Sequence, residues 1–381
     1  GIRVSLQARA TSEQHFTPSS IEIDALCRTI KAVDLIGMDP VSVWYVTRST
    51  YDIRGNLLTV TDALGRESFR YGYDLGDRPL RIWNVDAGLK RLVMDAAGNE
   101  LERRNSEGAL ILQAYDEGNR PVALWARDKA ELPITMRQGF VYGDKATQLT
   151  ELEKRTQNLK GQLYQHWDEA GQQPLAPYDF KGNLLKQQRQ VLSDAALLTG
   201  QPVDWMQTPM PALEEKVYET TTIYDGLNRV KASLYPQDVQ GDRKLLQPTY
   251  NRAGALAQVT LNGQPYVERI AYNAKGQRTL IAYGNGVMTR HAYDAQTFRL
   301  TRLRTEQYSQ PVAATYQPSG NVLQDMAYRY DLVGNIVTIR DRTPRSGVAS
   351  SPPGAAALDR LFTYDPLSRL LSAPGREGQR N

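Results

Sequence analysis

A short pattern recurs throughout this sequence and limits the folds that are open to it. An aromatic residue and an aspartate are followed by two variable residues, then glycine or another turn former, and then asparagine or arginine. The stretch YDIRGNLLTV at Tyr51 returns in related form as YDFKGNLLKQ at Tyr178 and YDLVGNIVTI at Tyr330. A catalytic centre is built once or twice in a chain, whereas a structural unit is built many times, so the pattern predicts a repeat protein.

Successive copies of the pattern follow one another at a nearly constant interval. In the first half they begin at residues 51, 73, 94 and 115, which are steps of 22, 21 and 21 residues. Those that begin at residues 250 and 272 carry asparagine in place of the aspartate. The positions that we predict to build the repeated turns are Tyr51, Asp52, Gly55, Asn56, Tyr73, Asp74, Tyr115, Asp116, Tyr178, Asp179, Gly182, Asn183, Tyr224, Asp225, Tyr293, Asp294, Tyr330, Asp331, Gly334, Asn335, Tyr364 and Asp365.

The residue types in each copy predict a β-hairpin. Glycine or asparagine after the two variable residues permits the positive φ of a tight turn, and the aspartate can accept hydrogen bonds from turn backbone N–H groups. The residues after each turn alternate between two faces, which is the period of a strand. A single hairpin with strands of about seven residues is marginally stable, so neighbouring copies must pair edge to edge.

We therefore predict an all-β fold: a long antiparallel sheet of hairpins that extends as one continuous repeat region over residues 1–381. Three inserts interrupt the period, at about 145–165, 193–220 and 342–356. We expect these inserts to contribute one or two short helices outside the sheet.

Each insert has its own local signals. In the first, leucines at helical spacing predict a short helix from Thr147 to Thr156, which Gly161 would stop. In the second, Thr208 is expected to cap a short helix before Pro209. The third, RTPRSGVASSPPGAA, is rich in serine, proline and glycine and predicts a loop.

Composition and charge exclude several classes of protein. The chain is 41% hydrophobic and 23% charged, which is typical of a folded chain and not of a disordered or membrane-embedded one. The net charge of +4 comes from 46 basic and 42 acidic residues spread along the chain, so we expect no nucleic-acid partner. No run of about 18 apolar residues is present, so we expect no transmembrane segment.

The first residues and the single cysteine carry further information. The opening stretch GIRVSLQARATSEQHF lacks the apolar segment and the cleavage pattern of a signal peptide, and its abrupt start suggests a fragment of a larger protein. Cys27 occupies the turn position of a degenerate copy, IDALCRTI, which begins at Ile23. We interpret Cys27 as a turn substitution and not as a reactive thiol, because no histidine lies near it in sequence.

These units resemble the YD repeats of the Rhs family. Longer segments, among them GQLYQHWDEAG, YETTTIYDGLNRV, IAYNAKGQRTLIAYGNGV, YRYDLVGNIVTIRD and FTYDPLSRLLSAPGRE, resemble the Rhs-repeat shell region of the B component of bacterial Tc (insecticidal) toxin complexes and of SpvB-like proteins. The resemblance covers most of residues 20–375. The amino-terminal domain, the β-propeller and the autoproteolytic aspartates of that family have no counterpart in this sequence.

The resemblance implies a curved, hollow shell strip that encapsulates a cytotoxic polypeptide before its delivery. It implies three partners: the other Rhs-repeat half-shell (the C component or the remainder of the same polypeptide), the enclosed toxin, and an A-type channel component reached through domains outside this sequence. It also implies a secreted, extracellular toxin complex and a role in virulence.

Motifs for catalysis and metal binding are absent from the sequence. There is no His-Glu-x-x-His motif, no phosphate-binding glycine-rich loop and no Gly-x-Ser-x-Gly elbow. The three histidines, His15, His166 and His291, lie far apart in sequence. The position of the aspartates before turns explains them better than calcium sites or paired catalytic carboxylates do. We therefore predict that the chain is not an enzyme and uses no metal or cofactor.

Three further segments have two interpretations each. His166 to Glu169 is the densest ionisable cluster, and we interpret it as a divergent repeat with Trp167-Asp168 in place of Tyr-Asp and Ala170-Gly171 in the turn. The basic stretch from Arg299 to Thr305 places Arg302 and Arg304 on one strand face, which we expect to be solvated; contact with a glycan or polyanion is the alternative. Gly284-Asn285-Gly286 predicts a hairpin turn and not a phosphate cradle, since a strand follows it.

Three functions remain open from the sequence. The first is the shell segment that the resemblance implies. The second is a YD-repeat binding module that recognises carbohydrate or a cell-surface partner through aromatic sheet faces. The third is an enzyme, such as a glycosidase or an autoprotease, for which no pair of carboxylates stands out. Because an open sheet has unpaired edge strands, we also expect the chain to oligomerise, aggregate or need a partner.

Overall fold

The computed structural model of the chain describes residues 19–35, 44–345 and 358–373. Contacts divide the chain into two compact units. The large unit comprises Ile21–Ala32 and Val46–Leu245. The small unit contains the described parts of the remainder, chiefly residues 246–345 and 358–373.

Strands make up most of both units, and helices are short. The strands are β1 (Ser20–Ile23), β2 (Thr29–Leu35), β3 (Trp44–Tyr51), β4 (Leu57–Thr61), β5 (Glu67–Tyr73), β6 (Pro79–Asn84), β7 (Gly88–Met94), β8 (Glu100–Arg104), β9 (Leu110–Tyr115), β10 (Pro121–Arg127), β11 (Thr135–Tyr142), β12 (Leu163–Asp168), β13 (Gly171–Pro174), β14 (Lys186–Val191), β15 (Tyr218–Tyr224), β16 (Val230–Gln237), β17 (Arg243–Tyr250), β18 (Leu256–Leu261), β19 (Gln264–Tyr272), β20 (Arg278–Tyr283), β21 (Val287–Tyr293), β22 (Leu300–Ser309), β23 (Gln317–Tyr330), β24 (Ile336–Asp341), β25 (Arg360–Leu361), β26 (Thr363–Tyr364) and β27 (Leu370–Ser372). A 3₁₀ turn (Gly143–Lys145) and two helices, α1 (Glu151–Thr156) and α2 (Asp194–Leu197), complete the elements.

Within the large unit, strands pair antiparallel with their neighbours in chain order from β3 to β16. Within the small unit, β17 to β25 pair in the same way, and β26 and β27 form a separate hairpin. The prediction of an all-β chain, built as a long antiparallel sheet of hairpins with short helical inserts, is confirmed.

A β-bulge accompanies the aromatic residue of most copies. At the first copy, Thr50 pairs with Thr59 but Tyr51 pairs with Leu57, so Leu58 is the extra residue. The same shift occurs at Tyr73, Met94, Tyr224, Tyr250, Tyr272, Tyr293, Tyr330 and Tyr364. A type I turn that ends in a left-handed residue is followed by such a bulge, which increases the local twist and bends the strand.

Few large side chains are completely buried, so the sheet is stabilised mainly by its hydrogen bonds and half-buried side chains. Every residue of β18 is half-buried, which is expected of a sheet whose two faces are not covered by another layer. Among the described residues, buried apolar side chains cluster at Leu159, Leu175 and Tyr178 in the large unit, where Leu159 is fully inaccessible to solvent. This cluster lies where the first insert returns to the sheet.

The first insert contains the predicted helix, but the helix is shorter than expected. It begins at Glu151 and not at Thr147, because Thr150 and Glu153 form a reciprocal capping box that sets its first residue. It ends at Thr156, before Asn158 adopts a positive φ of 52° and Leu159 enters the core cluster.

The prediction for the second insert is wrong in position. The helix there is Asp194–Leu197, and the Ser193 hydroxyl caps it by accepting a hydrogen bond from the Ala196 N–H. No helix follows Thr208. Bends and irregular backbone follow instead, up to Leu213, which forms an isolated bridge to Leu192. The third predicted insert lies mostly outside the described residues, which end at 345 and resume at 358.

No helix in the described part of the chain is long and apolar enough to cross a membrane.

Candidate functional site

The repeated turns share one hydrogen-bonded arrangement, of which the turn at Asp52 is representative. The Asp52 N–H donates to the Asn56 carbonyl oxygen (2.9 Å), and the Gly55 N–H donates to the Asp52 carbonyl oxygen (3.2 Å). Asp52 Oδ1 accepts from the backbone N–H groups of Arg54 (2.9 Å) and Asn56 (2.8 Å), and Oδ2 accepts from Asn56 Nδ2 (3.0 Å). Gly55 has a φ of +97°, a conformation that residues with a Cβ rarely adopt.

The structure places most of the predicted aspartates in this arrangement. In each case Oδ1 accepts from the N–H four residues ahead, as at Asp24, Asp74, Asp95, Asp116, Asp179, Asp225, Asp331 and Asp365. Asn251 and Asn273 do the same with their side-chain oxygens. At Asp294 the turn is one residue longer, so its carboxylate accepts from Thr297 instead, and Phe298 takes the positive φ of 57°.

Hydrogen bonds lower the pKa of the turn carboxylates of Asp52 and Asp116. At Asp52 the side-chain amide of Asn56 contributes most to the lower pKa. At Asp116, where arginine replaces asparagine, the Arg120 side chain has that role. Each carboxylate is therefore held in its ionised form as an acceptor, which is a structural use of the charge.

Tyrosine joins most of the turns to the preceding copy. The Tyr73 hydroxyl donates to the carbonyl oxygen of Leu57 (2.9 Å), the first residue after the previous turn. Equivalent bonds, with donor first, are Tyr51 to Thr29, Tyr115 to Glu100, Tyr178 to Leu163, Tyr272 to Leu256, Tyr293 to Arg278, Tyr330 to Leu300 and Tyr364 to Ile336. The hydroxyl thus satisfies a backbone acceptor one copy away.

In several turns the last residue joins the turn to the following copy. Asn56 Nδ2 donates to Asp77 Oδ1 in the next turn (2.6 Å). Asn99 and Asn183 contact Asn119 (3.0 Å) and Asn228 (3.1 Å) in the same way. Where arginine occupies this position, it donates to a backbone oxygen of the next turn, as Arg28 does to Asp52, Arg78 to Asp95 and Arg299 to Asp331. A turn that carries both contacts, such as the one at Asp74, is therefore bonded backward and forward within its unit.

The opposite ends of several hairpins use the same turn without the tyrosine, and sequence reasoning missed them. Asp62 accepts from the N–H groups of Leu64 and Arg66, and Gly65 has a φ of +77°. Asp238 and Asn105 form equivalent turns. The signal was available: an aspartate or asparagine followed three residues later by glycine. The sequence prediction required an aromatic residue before it and so excluded these turns.

Cys27 lies in a left-handed conformation with a φ of 60°, the same place that Gly55 occupies in its own turn. Its backbone N–H donates to the Asp24 carbonyl oxygen (3.0 Å), and the residue is exposed. The structure therefore places Cys27 in a turn, as the interpretation of IDALCRTI expects.

The His166 to Glu169 segment is a tighter hairpin than the others. Asp168 pairs with Gly171 across a two-residue turn, so the wide turn of the other copies is not formed. The Asp168 carboxylate forms an ion pair with Arg189, including a hydrogen bond of 2.9 Å from Nη1. Burial lowers the pKa of His166, whose ring stacks on Phe140 with centroids 4.6 Å apart. These contacts make the segment part of the sheet.

The basic strand β22 is not simply solvated. Arg302 and Arg304 do lie on one face, but they pair with two buried carboxylates, Glu306 and Asp325, which are 1% and 3% exposed. Arg302 Nε lies 2.6 Å from Asp325 Oδ1, and Arg304 Nε lies 2.8 Å from Glu306 Oε2. Arg290 on β21 also contacts Glu306. Buried carboxylates require such partners, so these arginines stabilise the sheet.

Among the residues that the structure describes, no group of three histidine, cysteine, aspartate or glutamate side chains is placed to hold a metal ion. His15 lies outside the described residues. The hairpin predicted at Gly284-Asn285-Gly286 joins β20 to β21, as expected. A Cβ at Gly284 would lie 1.6 Å from the Pro265 carbonyl oxygen, so only glycine fits there.

Two curated proteins of Yersinia entomophaga resemble the chain in sequence. Toxin subunit YenC1 is 28% identical over 325 aligned residues, which cover 83% of this chain and 31% of that protein. Toxin subunit YenC2 is 27% identical over 363 aligned residues, which cover 87% of this chain and 35% of that protein. The chain therefore spans about a third of the length of these relatives. No protein-family profile matches it.

Solved structures of toxin complexes share the fold. The crystal structure of TcdB2-TccC3 matches with a TM-score of 0.77 at 25% identity, over 96% of this chain and 18% of that one. The Photorhabdus luminescens Tc holotoxin pore matches with a TM-score of 0.75 at 25% identity, over 94% and 16%. The resemblance to Rhs-repeat proteins of Tc toxins is confirmed. By name the curated relatives are C subunits, whereas the sequence motifs point to the B component.

Proposed function

We propose that this chain is a structural segment of the repeat shell of a Tc-type toxin, which encloses and protects a cytotoxic polypeptide before delivery. The observation that carries the proposal is the match to TcdB2-TccC3, with a TM-score of 0.77 over 96% of the chain. The role is containment and not catalysis, and no cofactor or metal takes part in it.

The chemistry of the turns supports this role. A wall must remain continuous, and here turns such as the one at Tyr73-Asp74 are bonded to the copy before and to the copy after. A bulge recurs beside most of these turns, so the same local bend is repeated along the chain. Repetition of one bend is a simple way to build a curved strip, and it supports a concave surface facing an enclosed polypeptide.

We further propose that residues 1–381 act as one continuous repeat region in this shell. The partners are the other Rhs-repeat half-shell, supplied by a second component or by the remainder of the same polypeptide, and the enclosed toxin. An A-type channel component would be reached through other domains. The complex is secreted and acts outside the producing cell.

Protease protection of the enclosed polypeptide tests the proposal. The natural toxin protein that carries this segment is assembled with its shell partner and its cargo, and a broad-specificity protease is added. We expect the cargo to stay intact in the assembled complex and to be digested once the shell is opened with urea. A control digestion of the free cargo sets the unprotected rate. Digestion of the assembled cargo at that same rate would show that the shell does not enclose it.

A further inference from the structure

The hairpin between β22 and β23 differs in composition from the rest of the chain. Residues 307–324, QYSQPVAATYQPSGNVLQ, contain no charged side chain, although 23% of the whole chain is charged. The segment is rich in amide and hydroxyl groups, and it includes Tyr308 and Tyr316. A surface that offers neutral hydrogen-bonding groups beside aromatic rings suits a ligand that is itself neutral and polar.

The loop from 310 to 316 folds back on the hairpin so that the two tyrosine rings meet. The centroids of Tyr308 and Tyr316 are 5.1 Å apart, and their planes are inclined by 73°. In this edge-to-face arrangement one ring supports the other. Both tyrosines are half-buried, whereas the rest of the loop between them is mostly exposed, as Val312 is at 67%. Tyr316 is therefore a supported ring in an exposed loop.

A carboxylate without a cationic partner lies beside these rings. Glu268 on β19 is half-buried, and among the described residues no basic side chain forms an ion pair with it. Strand pairing places it there, because Val267, the residue before Glu268, pairs with Tyr283, whose carbonyl oxygen accepts the hydroxyl proton of Tyr308. Burial and then Glu268 raise the pKa of Tyr308 to about 12. The Tyr308 hydroxyl donates to the Tyr283 carbonyl oxygen (2.9 Å). One hydroxyl proton cannot occupy all the lone pairs of the two carboxylate oxygens of Glu268, so the carboxylate keeps acceptor capacity for a ligand.

Two neighbouring groups decide between a cationic and a neutral ligand. Gln310 is exposed and begins the loop that carries Tyr316, so it adds an amide to the same loop. Arg269 follows Glu268 directly in the chain and is exposed, so its charge would repel a cation that approached Glu268. A ligand with several hydroxyl groups can donate to the carboxylate and accept from the amide and the guanidinium.

We propose that the tip of the β22–β23 hairpin binds a neutral saccharide, whose ring packs on Tyr316 and whose hydroxyl groups donate to Glu268. The partly positive C–H groups of a sugar face match the negative face of an aromatic ring. Hydrogen bonds from hydroxyl groups to an ionised carboxylate are stronger than neutral ones, and they fix the orientation of the sugar. This activity goes beyond the proposed shell role and does not depend on it.

Glycan binding by the purified 381-residue chain tests the proposal. An array of neutral hexose and N-acetylhexosamine oligosaccharides identifies the ligand, and isothermal titration calorimetry then measures its affinity. We expect Tyr316→Ala and Glu268→Gln each to weaken binding about tenfold, which corresponds to ~1.4 kcal/mol. The matched control is Tyr235→Ala, which removes a 42%-exposed tyrosine on β16 and should leave affinity unchanged.

Two further measurements test whether the variants fold and whether the site binds a basic peptide instead of a glycan. Glu268→Gln keeps the size of the side chain, and circular dichroism must show that each variant retains the β spectrum of the wild type. The proposal is overturned if the wild-type chain binds no neutral glycan, or if Tyr316→Ala binds as tightly as the wild type. Binding of a lysine-rich peptide in place of glycans, abolished by Glu268→Gln, would assign the site to a basic partner and would also overturn it.

Discussion

At the residue scale, the tyrosine hydroxyl explains a feature of the composition. The chain has 21 tyrosines and 6 phenylalanines, although both rings pack equally well on a strand. Half-burial of the ring explains the excess of tyrosine over phenylalanine only in general terms. The repeated bond from the hydroxyl to a carbonyl one copy back, as from Tyr73 to Leu57, gives the specific reason. Phenylalanine at that position would leave a partly buried acceptor without its donor.

Two substitutions test this link: one removes the hydroxyl of a turn tyrosine, and the other introduces a tyrosine where a copy lacks it. Met94 stands where other copies have tyrosine, with the same bulge beside it. We expect Tyr73→Phe to lower the free energy of unfolding by about 1 kcal/mol and Met94→Tyr to raise it by a similar amount. Urea denaturation followed by circular dichroism measures both. Tyr235→Phe is the control, because Tyr235 is 42% exposed and should lose less than about 0.5 kcal/mol. Equal effects at Tyr73 and Tyr235 would contradict the role of the hydroxyl.

At the element scale, charged side chains connect strands where few apolar side chains are completely buried. Glu219 on β15 accepts from Gln188 and contacts Lys186, both on β14, and it pairs with Arg243 on β17 at 3.1 Å. Hydrogen bonds from Lys186 and Gln188 contribute most to lowering the pKa of Glu219 to about 2. The buried pair of Glu306 and Asp325 serves the same purpose in the small unit.

The lowered pKa of Glu219 predicts a pH dependence of stability. Since the pKa is depressed on folding, the ionised carboxylate stabilises the fold at pH values above its ordinary pKa of 4.5, and this contribution is lost as the pH falls toward about 2. We expect Glu219→Gln to lower stability at pH 7 and to flatten the decrease between these two pH values. Thermal unfolding at several pH values measures the effect. Glu215→Gln, at an exposed position nearby, is the control and should show the same dependence of stability on pH as the wild type. If Glu219→Gln also shows the wild-type dependence, Glu219 is not the group responsible.

At the scale of the whole molecule, exposed apolar side chains favour association with another chain. All four residues of β1 are exposed, and among them Ile21 and Ile23 are 68% and 50% exposed. They point to the same face, because alternate residues of a strand do so. A short exposed strand of this kind offers both backbone groups and apolar side chains to a partner. In the proposed complex that partner would be the other half-shell.

We therefore expect the isolated chain to associate with itself in a concentration-dependent manner. Analytical ultracentrifugation over a range of concentrations measures this, and the double variant Ile21→Lys, Ile23→Lys should shift the chain toward monomer. Lysines at two exposed turn positions, Ile53→Lys and Leu75→Lys, are the matched control and should have a smaller effect. A monomeric wild-type chain at high concentration would show that β1 does not act in this way.

The sequence by itself determined the local chemistry of the hairpins. Asp52, Gly55 and Asn56 form their turn within five residues, so the interactions that select the conformation lie within one copy and can be inferred from residue types. The same locality allowed Cys27 to be recognised as a turn residue. The turn at Asp62 obeys this chemistry as well and was missed only because an aromatic residue was required before it.

Only the tertiary structure decided which residues the turns and strands contact beyond their own copy. The acceptor of each tyrosine hydroxyl lies some 15 to 30 residues away, and Arg302 meets Asp325 because β22 and β23 pair in one particular register. The second helix begins at Asp194, after the Ser193 cap, and not after Thr208, where the chain instead leads to a bridge between Leu213 and Leu192. Contacts of this kind depend on which residues of two strands pair and on the path of the inserts. Residue types alone do not determine these, because many registers satisfy the same local preferences.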